Sequence, residues 1–147
     1  MVLHQKVNIK VLSIQTKSFF LRRFYISEKA IKYKEEGNHY FKSQKYKVAL
    51  LSYHEALKQN FEDNDLYSIL YSNCAAAEFH LKNYRTAFKH CVESRKRKTD
   101  NIKAIIKGAE CCLELNLYDE GIKWCDKGLL VSFCKFINYI IFVIDVS

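Results

Sequence analysis

Proline is absent from the 147 residues of this chain, and glycine occurs only four times. Because both residues punctuate the turns of β-rich folds, their scarcity argues against such a fold and favours helices joined by short loops. Glycine-rich phosphate-binding loops of the GxxxxGK and GxGxxG types are missing as well. No stretch approaches the roughly 20 uninterrupted apolar residues of a membrane-spanning helix. These absences leave a helical globular domain as the expected class.

Apolar and charged side chains are present in globular proportions. Hydrophobic residues make up 49% and charged residues 27%, which predicts one domain with a buried core. The net charge is +8, and segment 1–27 holds five basic residues and no acid, namely Lys6, Lys10, Lys17, Arg22 and Arg23. No recognition motif accompanies this charge, so a nucleic-acid partner is not expected.

Six cysteines are present, and none forms the CxxC pair that is typical of zinc sites. Five of them fall within helical patterns, so we expect reduced, small core residues in a reducing compartment. Neither a metal, nor a cofactor, nor a catalytic constellation is predicted. The expected localisation is cytoplasmic. The basic run 95–98 suggests the nucleus as an additional location, although cations are also favourable at a helix C-terminus.

Three segments of the chain are alike. They read KYKVALLSYHEAL at 45–57, NYRTAFKHCVESR at 83–95 and LYDEGIKWCDKGL at 117–129. Each contains a tyrosine followed three residues later by a small residue, and the tyrosines are 38 and then 34 residues apart. A period near 34 with such offsets predicts one helix pair, A and B, in each repeat.

Small residues upstream of each tyrosine allow the two helices of a pair to approach closely, at Gly37, Ala75 and Ala109. The packing residues of the B helices are predicted to be Tyr53, Cys91 and Cys125, and Trp124 is expected to lie inside the domain. The six predicted helices cover 28–42, 46–59, 66–81, 84–97, 101–115 and 118–131. Their predicted N-caps include Asp65, Asn83 and Asp100.

The pattern KEEGNHYFKSQKYKVALLSYHEAL, followed by LYSNCAAAEFHLKNYRTAFKHC, resembles tetratricopeptide repeats of co-chaperones that bind heat-shock protein 90. The third repeat, KAIIKGAECCLELNLYDEGIKWCDKGL, is similar to the tetratricopeptide repeat protein 4 and Cns-one family. The resemblance covers about 28–131. It implies an all-α fold, a right-handed α-solenoid of three helix pairs, with repeats at about 30–63, 68–101 and 102–135.

Five side chains of the A helices are predicted to face one way: Lys34, Asn38, Asn73, Lys103 and Lys107. Within their repeats they occupy positions 2, 5, 6 and 9, which span an arc of about 100° on a helix. Three ammonium groups and two amides, without an acid, predict a site for a compact anion. The resemblance implies a carboxylate clamp, in which this set grips the two carboxylates of a terminal aspartate at the end of a chaperone tail. Lys107 stands where many members have arginine, so we expect somewhat weaker binding there.

The resemblance implies a co-chaperone adaptor that binds the acidic C-terminal tails of heat-shock proteins 90 and 70, which end in Glu-Glu-Val-Asp, without catalysis. Which of the two chaperones is preferred stays open. Two alternatives remain: a scaffold that binds another protein without a free carboxylate, and the targeting arm of an enzyme whose catalytic domain is missing here. Neither nucleic acid nor stable membrane association is expected.

Both ends of the chain lie outside the predicted repeats. Segment 1–27 is a basic extension, and its lack of acids also suits a mitochondrial presequence. Segment 132–147 is apolar and offers few polar positions for the outer face of a capping helix. Because the resembled family continues into a further C-terminal domain, we expect this tail to be non-native, the end of a truncated or mis-spliced product.

Overall fold

The computed structural model describes residues 2–130 and, within them, the side chains of residues 14–130. Its helices are α1 (Val2–Lys42), α2 (Tyr46–Lys58), α3 (Asn64–His80), α4 (Tyr84–Arg97), α5 (Ile102–Glu114) and α6 (118–130). The described residues contain no strand, and the predicted all-α class is confirmed. Residues 131–147 lie outside the described residues. They include the end of the predicted third repeat and the predicted tail 132–147.

The helices stack in chain order. Contacts join α1 to α2, α2 to α3, α3 to α4 and α4 to α5, and α3 also touches α5. α6 packs against α5, where the ring of Trp124 lies on Gly108. This arrangement is the α-solenoid that the repeats predict.

The turn inside each repeat has the same backbone conformation. Gln44, Lys82 and Asn116 have φ values of 59°, 63° and 57°, in the left-handed region. In the first repeat the next amide, Lys45 N, donates to Tyr40 O at 2.9 Å, and equivalent bonds close the other two turns. This is the Schellman ending of a helix, here built without glycine. The three turns are 38 and 34 residues apart, so the backbone repeats with the period of the sequence.

The residues that cap two helices differ from the prediction. Asp63 rather than Asp65 accepts from the amide three residues later, at 3.0 Å. Asn101 rather than Asp100 does the same for α5, at 3.3 Å. Asn83 makes no side-chain cap bond. Before α3 and before α5, the sequence contains several neighbouring Asp and Asn residues that could act as the cap. The residue that does so is the one three positions before a backbone amide that has no partner within the helix.

α1 begins at Val2, so the predicted start at 28 is wrong. Segment 2–27 contains neither proline nor glycine, and nothing in it stops a helix. An ion pair between Arg23 Nη2 and Glu62 Oε2, 2.6 Å apart, ties the extension to the loop before α3. Ile26 packs against the core beside it.

Two clusters of buried side chains hold the stack together. The first lies among α1, α2 and α3, and it comprises Ala30, Ala49, Leu50, Tyr53, Ala56, Phe61, Leu66, Leu70, Cys74 and Ala77. The second lies among α3, α4, α5 and α6, and it comprises Ala75, Cys91, Ile105, Cys112 and Trp124. Phe61 belongs to a loop that reads as polar, yet its ring is buried and stacks on Tyr67 at 4.0 Å between centroids.

The third repeat packs one residue out of the predicted register. Trp124 is 2% exposed, as predicted, whereas Cys125 is exposed. A Cβ at Gly108 would overlap the Trp124 ring, so Gly108 rather than Ala109 is the close-approach residue. The large indole takes the interior position, and this turns the following cysteine outward. The other four described cysteines are buried and free, as predicted: Cys74, Cys91, Cys111 and Cys112.

Candidate functional site

The five predicted site residues line one groove of about 580 Å³. α1 contributes Lys34 and Asn38, α3 contributes Asn73, and α5 contributes Lys103 and Lys107. The A helix of every repeat therefore supplies at least one polar side chain to the same space. Helical spacing is what gathers them, because each pair on one helix is four residues apart and lies on one face.

Apolar side chains form much of the remaining wall. They are Phe41, Tyr53, Ile69, Ala76 and Ile106, and Ser72 and Lys42 complete the lining. This wall was not predicted from the sequence, although a signal was present. Ile69 precedes Asn73 by four residues and Ile106 follows Lys103 by three, so both share the face of a predicted site residue.

The two site amides are joined to each other and to a tyrosine. Asn38 Oδ1 accepts from Asn73 Nδ2 at 3.0 Å and from the Tyr53 hydroxyl at 2.8 Å. Burial raises the pKa of Tyr53 to about 12, with a smaller contribution from Cys74, so the hydroxyl keeps its proton near neutral pH. The Asn38 oxygen is thus occupied, and its two N–H donors remain for another acceptor.

Gly37 is the reason that this tyrosine reaches the groove. A Cβ at Gly37 would lie 2.5 Å from Tyr53 Cε1, so the ring rests directly on the α1 backbone. Tyr53 is 1% exposed in consequence. The small residue predicted at this position therefore does more than bring two helices together, because it places the hydroxyl beside Asn38.

The three cations of the site are not equivalent. Among the residues whose side chains are described, no acid pairs with Lys34 or Lys103. Lys107 forms an ion pair with Glu110, and its Nζ lies 4.2 Å from the centroid of the Phe79 ring. Neither partner was predicted from the sequence, but Glu110 stands at the i+3 position, where ion pairs form on helices.

The groove offers hydrogen-bond donors to an anion. No carboxylate is among the residues that line it. Within residues 14–130 there is also no group of three or more histidine, cysteine or acidic side chains with the arrangement of a metal site. The donors and the apolar wall together suit a short, acidic, partly apolar ligand.

The chain has curated relatives with the same kind of sequence. It is 48% identical over 105 residues to human tetratricopeptide repeat protein 4, across 71% of this chain and 27% of the relative. It is 31% identical over 94 residues to the Hsp70/Hsp90 co-chaperone CNS1 of Saccharomyces cerevisiae, across 64% of this chain and 24% of the relative. The chain thus spans about a quarter of the length of these relatives. No protein-family model matches it.

Solved structures share the fold. The Hsp90 co-chaperone Cns1 of Saccharomyces cerevisiae superposes with a TM-score of 0.68 at 28% identity, across 70% of this chain and 33% of that one. The first repeat domain of Spaghetti (RPAP3), bound to the HSP90 peptide SRMEEVD, gives 0.66 at 28% identity, across 71% and 80%. The chain carries a tetratricopeptide repeat domain of the kind found in tetratricopeptide repeat protein 4 and Cns1.

The basic run at the end of α4 is separate from the groove of this tetratricopeptide repeat domain. The guanidinium of Arg95 lies 4.5 Å from the Trp124 ring, and that of Arg97 lies 4.7 Å from the Tyr67 ring. Lys96 and Lys98 pair with Glu93 and Asp65 at 2.6 and 3.1 Å. All four side chains thus contact their own domain. This favours the interpretation of the run as cations at a helix C-terminus over that of a nuclear signal. No described helix is long and apolar enough to span a bilayer.

Proposed function

We propose that this chain binds the acidic C-terminal tails of heat-shock proteins 90 and 70 through a carboxylate clamp, acting by recognition and not by catalysis. The clamp consists of Lys34, Asn38, Asn73, Lys103 and Lys107. The observation that carries the proposal is their meeting in a single groove without a lining acid. In this role the chain is a co-chaperone adaptor of the cytoplasm.

The named relatives support the proposal. The relatives in Saccharomyces cerevisiae and Schizosaccharomyces pombe are described as Hsp70/Hsp90 co-chaperones. The Spaghetti (RPAP3) domain of the same fold holds a peptide that ends in MEEVD. The terminal Asp of such a tail carries two carboxylates, which match a site made of ammonium and amide donors.

The expected affinity follows from the number of donors. Each charge-assisted hydrogen bond contributes about 1.5–3 kcal/mol net. Several of them, less the cost of ordering a flexible tail, leave roughly 7–8 kcal/mol, which corresponds to a micromolar Kd. The groove is open, and three of its five donor residues are charged lysines. Raising the salt concentration therefore weakens the binding of an acidic peptide.

Fluorescence anisotropy with a labelled Met-Glu-Glu-Val-Asp peptide tests the proposal. We expect micromolar binding by the full chain and at least tenfold weaker binding when the peptide ends in an amide. The Lys103→Ala, Lys107→Ala variant should lose binding, whereas Lys47→Ala, Lys89→Ala, a matched pair of exposed lysines on α2 and α4, should retain it.

The alternatives give different results in this titration. Equal affinity for the acid and amide peptides would contradict the clamp and favour a scaffold that recognises internal sequence. No binding by protein that shows a cooperative unfolding transition would contradict the proposed function as a whole. Failure to bind by unfolded protein is resolved by repeating the titration on residues 28–131.

A further inference from the structure

We propose that Tyr53 is a positioning residue of the clamp, whose hydroxyl holds the Asn38 amide with its N–H groups toward the peptide carboxylate. The inference rests on the proposed function and adds to it a residue outside the predicted set. Tyr53 lies on a B helix, whereas the five clamp residues all lie on A helices. It lies in the wall of the groove and acts on the five residues through its hydrogen bond to Asn38.

The side-chain oxygen of Asn38 has two hydrogen-bond donors around it. Asn38 Oδ1 receives the Tyr53 hydroxyl at 2.8 Å and Asn73 Nδ2 at 3.0 Å. A side-chain amide has one oxygen and one NH₂ group on opposite branches of a planar unit. With both donors on the oxygen, the NH₂ branch points the other way and stays available for a ligand.

The alternative orientation of the Asn38 amide is less favourable. If the Asn38 amide turned by 180°, its NH₂ group would face the NH₂ group of Asn73, and its oxygen would face a carboxylate ligand. Asn73 could relieve the first conflict by turning over as well. After such a double flip the Tyr53 hydroxyl would face the NH₂ group of Asn38 instead of its oxygen. The hydroxyl proton would then lose its acceptor, so the hydrogen bond from Tyr53 disfavours the double flip.

The Tyr53 hydroxyl is itself held in place by packing. Tyr53 is 1% exposed, and its ring rests on Gly37, so it has little freedom to follow a moving amide. Burial keeps the hydroxyl protonated, and so a donor, well above neutral pH. The ring packing and the hydrogen bond are separable, because phenylalanine keeps the first and removes the second.

A double-mutant cycle tests this role with the full chain and the Met-Glu-Glu-Val-Asp peptide. Tyr53→Phe should weaken binding about fivefold, in keeping with the loss of one oriented hydrogen bond. The same substitution in an Asn38→Ala background should leave the affinity unchanged, since there is no amide left to orient. Tyr46→Phe is the matched control on the same helix, because its hydroxyl makes no hydrogen bond among the described residues and its ring stacks on His80.

A measurement without peptide separates this inference from the proposed function. The side-chain amide signals of Asn38 in a 15N-labelled sample should shift or broaden in Tyr53→Phe and stay in place in Tyr46→Phe. Unchanged Asn38 signals, or a fivefold loss of affinity that persists in the Asn38→Ala background, would overturn the positioning role. Absence of binding by the folded wild-type chain would overturn the proposed function first, and this inference with it.

Discussion

Lys107 is already paired in the structure, since Glu110 holds its ammonium group and the Phe79 ring lies beneath it. A carboxylate ligand must therefore compete with Glu110 for this cation. The side chains are 23% and 42% exposed, so the pair is partly screened by solvent. A partly exposed pair of this kind contributes about 0.2–1 kcal/mol to stability.

We predict that Glu110→Gln binds the acidic peptide about threefold more tightly at low salt, because it releases Lys107 and removes a negative charge beside the groove. Anisotropy titrations at low and high salt measure the difference, which should shrink as the salt concentration rises. Glu55→Gln is the matched control, since Glu55 pairs with Lys58 at the same i,i+3 spacing on α2. Equal affinities for Glu110→Gln and the wild type would show that the pair does not restrain Lys107.

At single positions, the sequence predicted which five residues meet in the groove but not the partners of these residues. Lys34, Asn38 and Asn73 could be placed because helical periodicity alone decides which residues share a face. The bond from Tyr53 to Asn38 could not be predicted, because it depends on how closely α2 approaches α1, which is a property of packing. Cys125 was misplaced for a similar reason, since the neighbouring Trp124 competes for the same interior space.

The C-terminal turns of the three A helices share one backbone conformation, whereas the helix N-termini differ in how they are capped. The three A-helix turns place Gln44, Lys82 and Asn116 in the left-handed region, where a side chain costs about 1–2 kcal/mol relative to glycine. Glycine is flexible when unfolded, and this offsets part of the gain. Replacing one of these residues with glycine should therefore raise the free energy of unfolding by about 0.5–1 kcal/mol.

We predict that Lys82→Gly raises the free energy of unfolding by about 0.5–1 kcal/mol. Lys89→Gly, at an exposed position inside α4, should instead lower it by about 1 kcal/mol. Urea unfolding followed by circular dichroism measures both changes. Destabilisation by Lys82→Gly would mean that the turn is not formed as described.

Over residues 2–130 the predicted helices were right in number and near in their bounds, except where nothing in the sequence forces an end. α1 illustrates the exception, because segment 2–27 lacks breakers while the repeat pattern begins only near residue 28. The N-caps Asp63 and Asn101 are a smaller exception, since adjacent Asp and Asn residues in the sequence are equally suited to cap the helix. Periodicity locates a helix, whereas its ends depend on single hydrogen bonds.

The molecule as a whole should lose stability in alkaline solution. Burial raises the pKa of Cys74 to about 12, with a smaller contribution from Glu78, and burial raises the pKa of Tyr53 to about 12. In the unfolded chain these groups lose their protons near 9 and 10, their ordinary values. Between those values and 12 the unfolded state binds fewer protons than the folded state, so the free energy of unfolding falls as the pH rises.

We predict a steady loss of stability from about pH 9 upward, measured as the urea midpoint at pH 8, 9 and 10. Cys74→Ser removes one of the titrating groups, so its midpoint should fall less steeply with pH even if it is lower throughout. Cys125→Ser, at an exposed position, should keep the wild-type slope. A Cys74→Ser slope equal to that of the wild type would contradict the role assigned to the buried thiol.

Across the whole molecule, the repeat period was sufficient to predict the solenoid and the side of it that carries the groove. It was not sufficient for the apolar wall of the groove, because Phe41, Ile69 and Ile106 also fit an ordinary core pattern in the sequence. Exposure in the folded state, 43% for Ile69 and 54% for Ile106, is what distinguishes a groove wall from a core.

The decisive measurement is a titration of the 15N-labelled chain with Met-Glu-Glu-Val-Asp, followed through the side-chain amide signals of asparagine. If the groove is a carboxylate clamp, the signals of Asn38 and Asn73 shift with saturation, and those of Asn83 and Asn101 stay in place. At the same concentrations, the peptide with an amidated C-terminus should shift Asn38 and Asn73 much less, in keeping with its at least tenfold weaker binding. Saturable binding that shifts neither Asn38 nor Asn73, or equal shifts with the amidated peptide, would contradict the clamp.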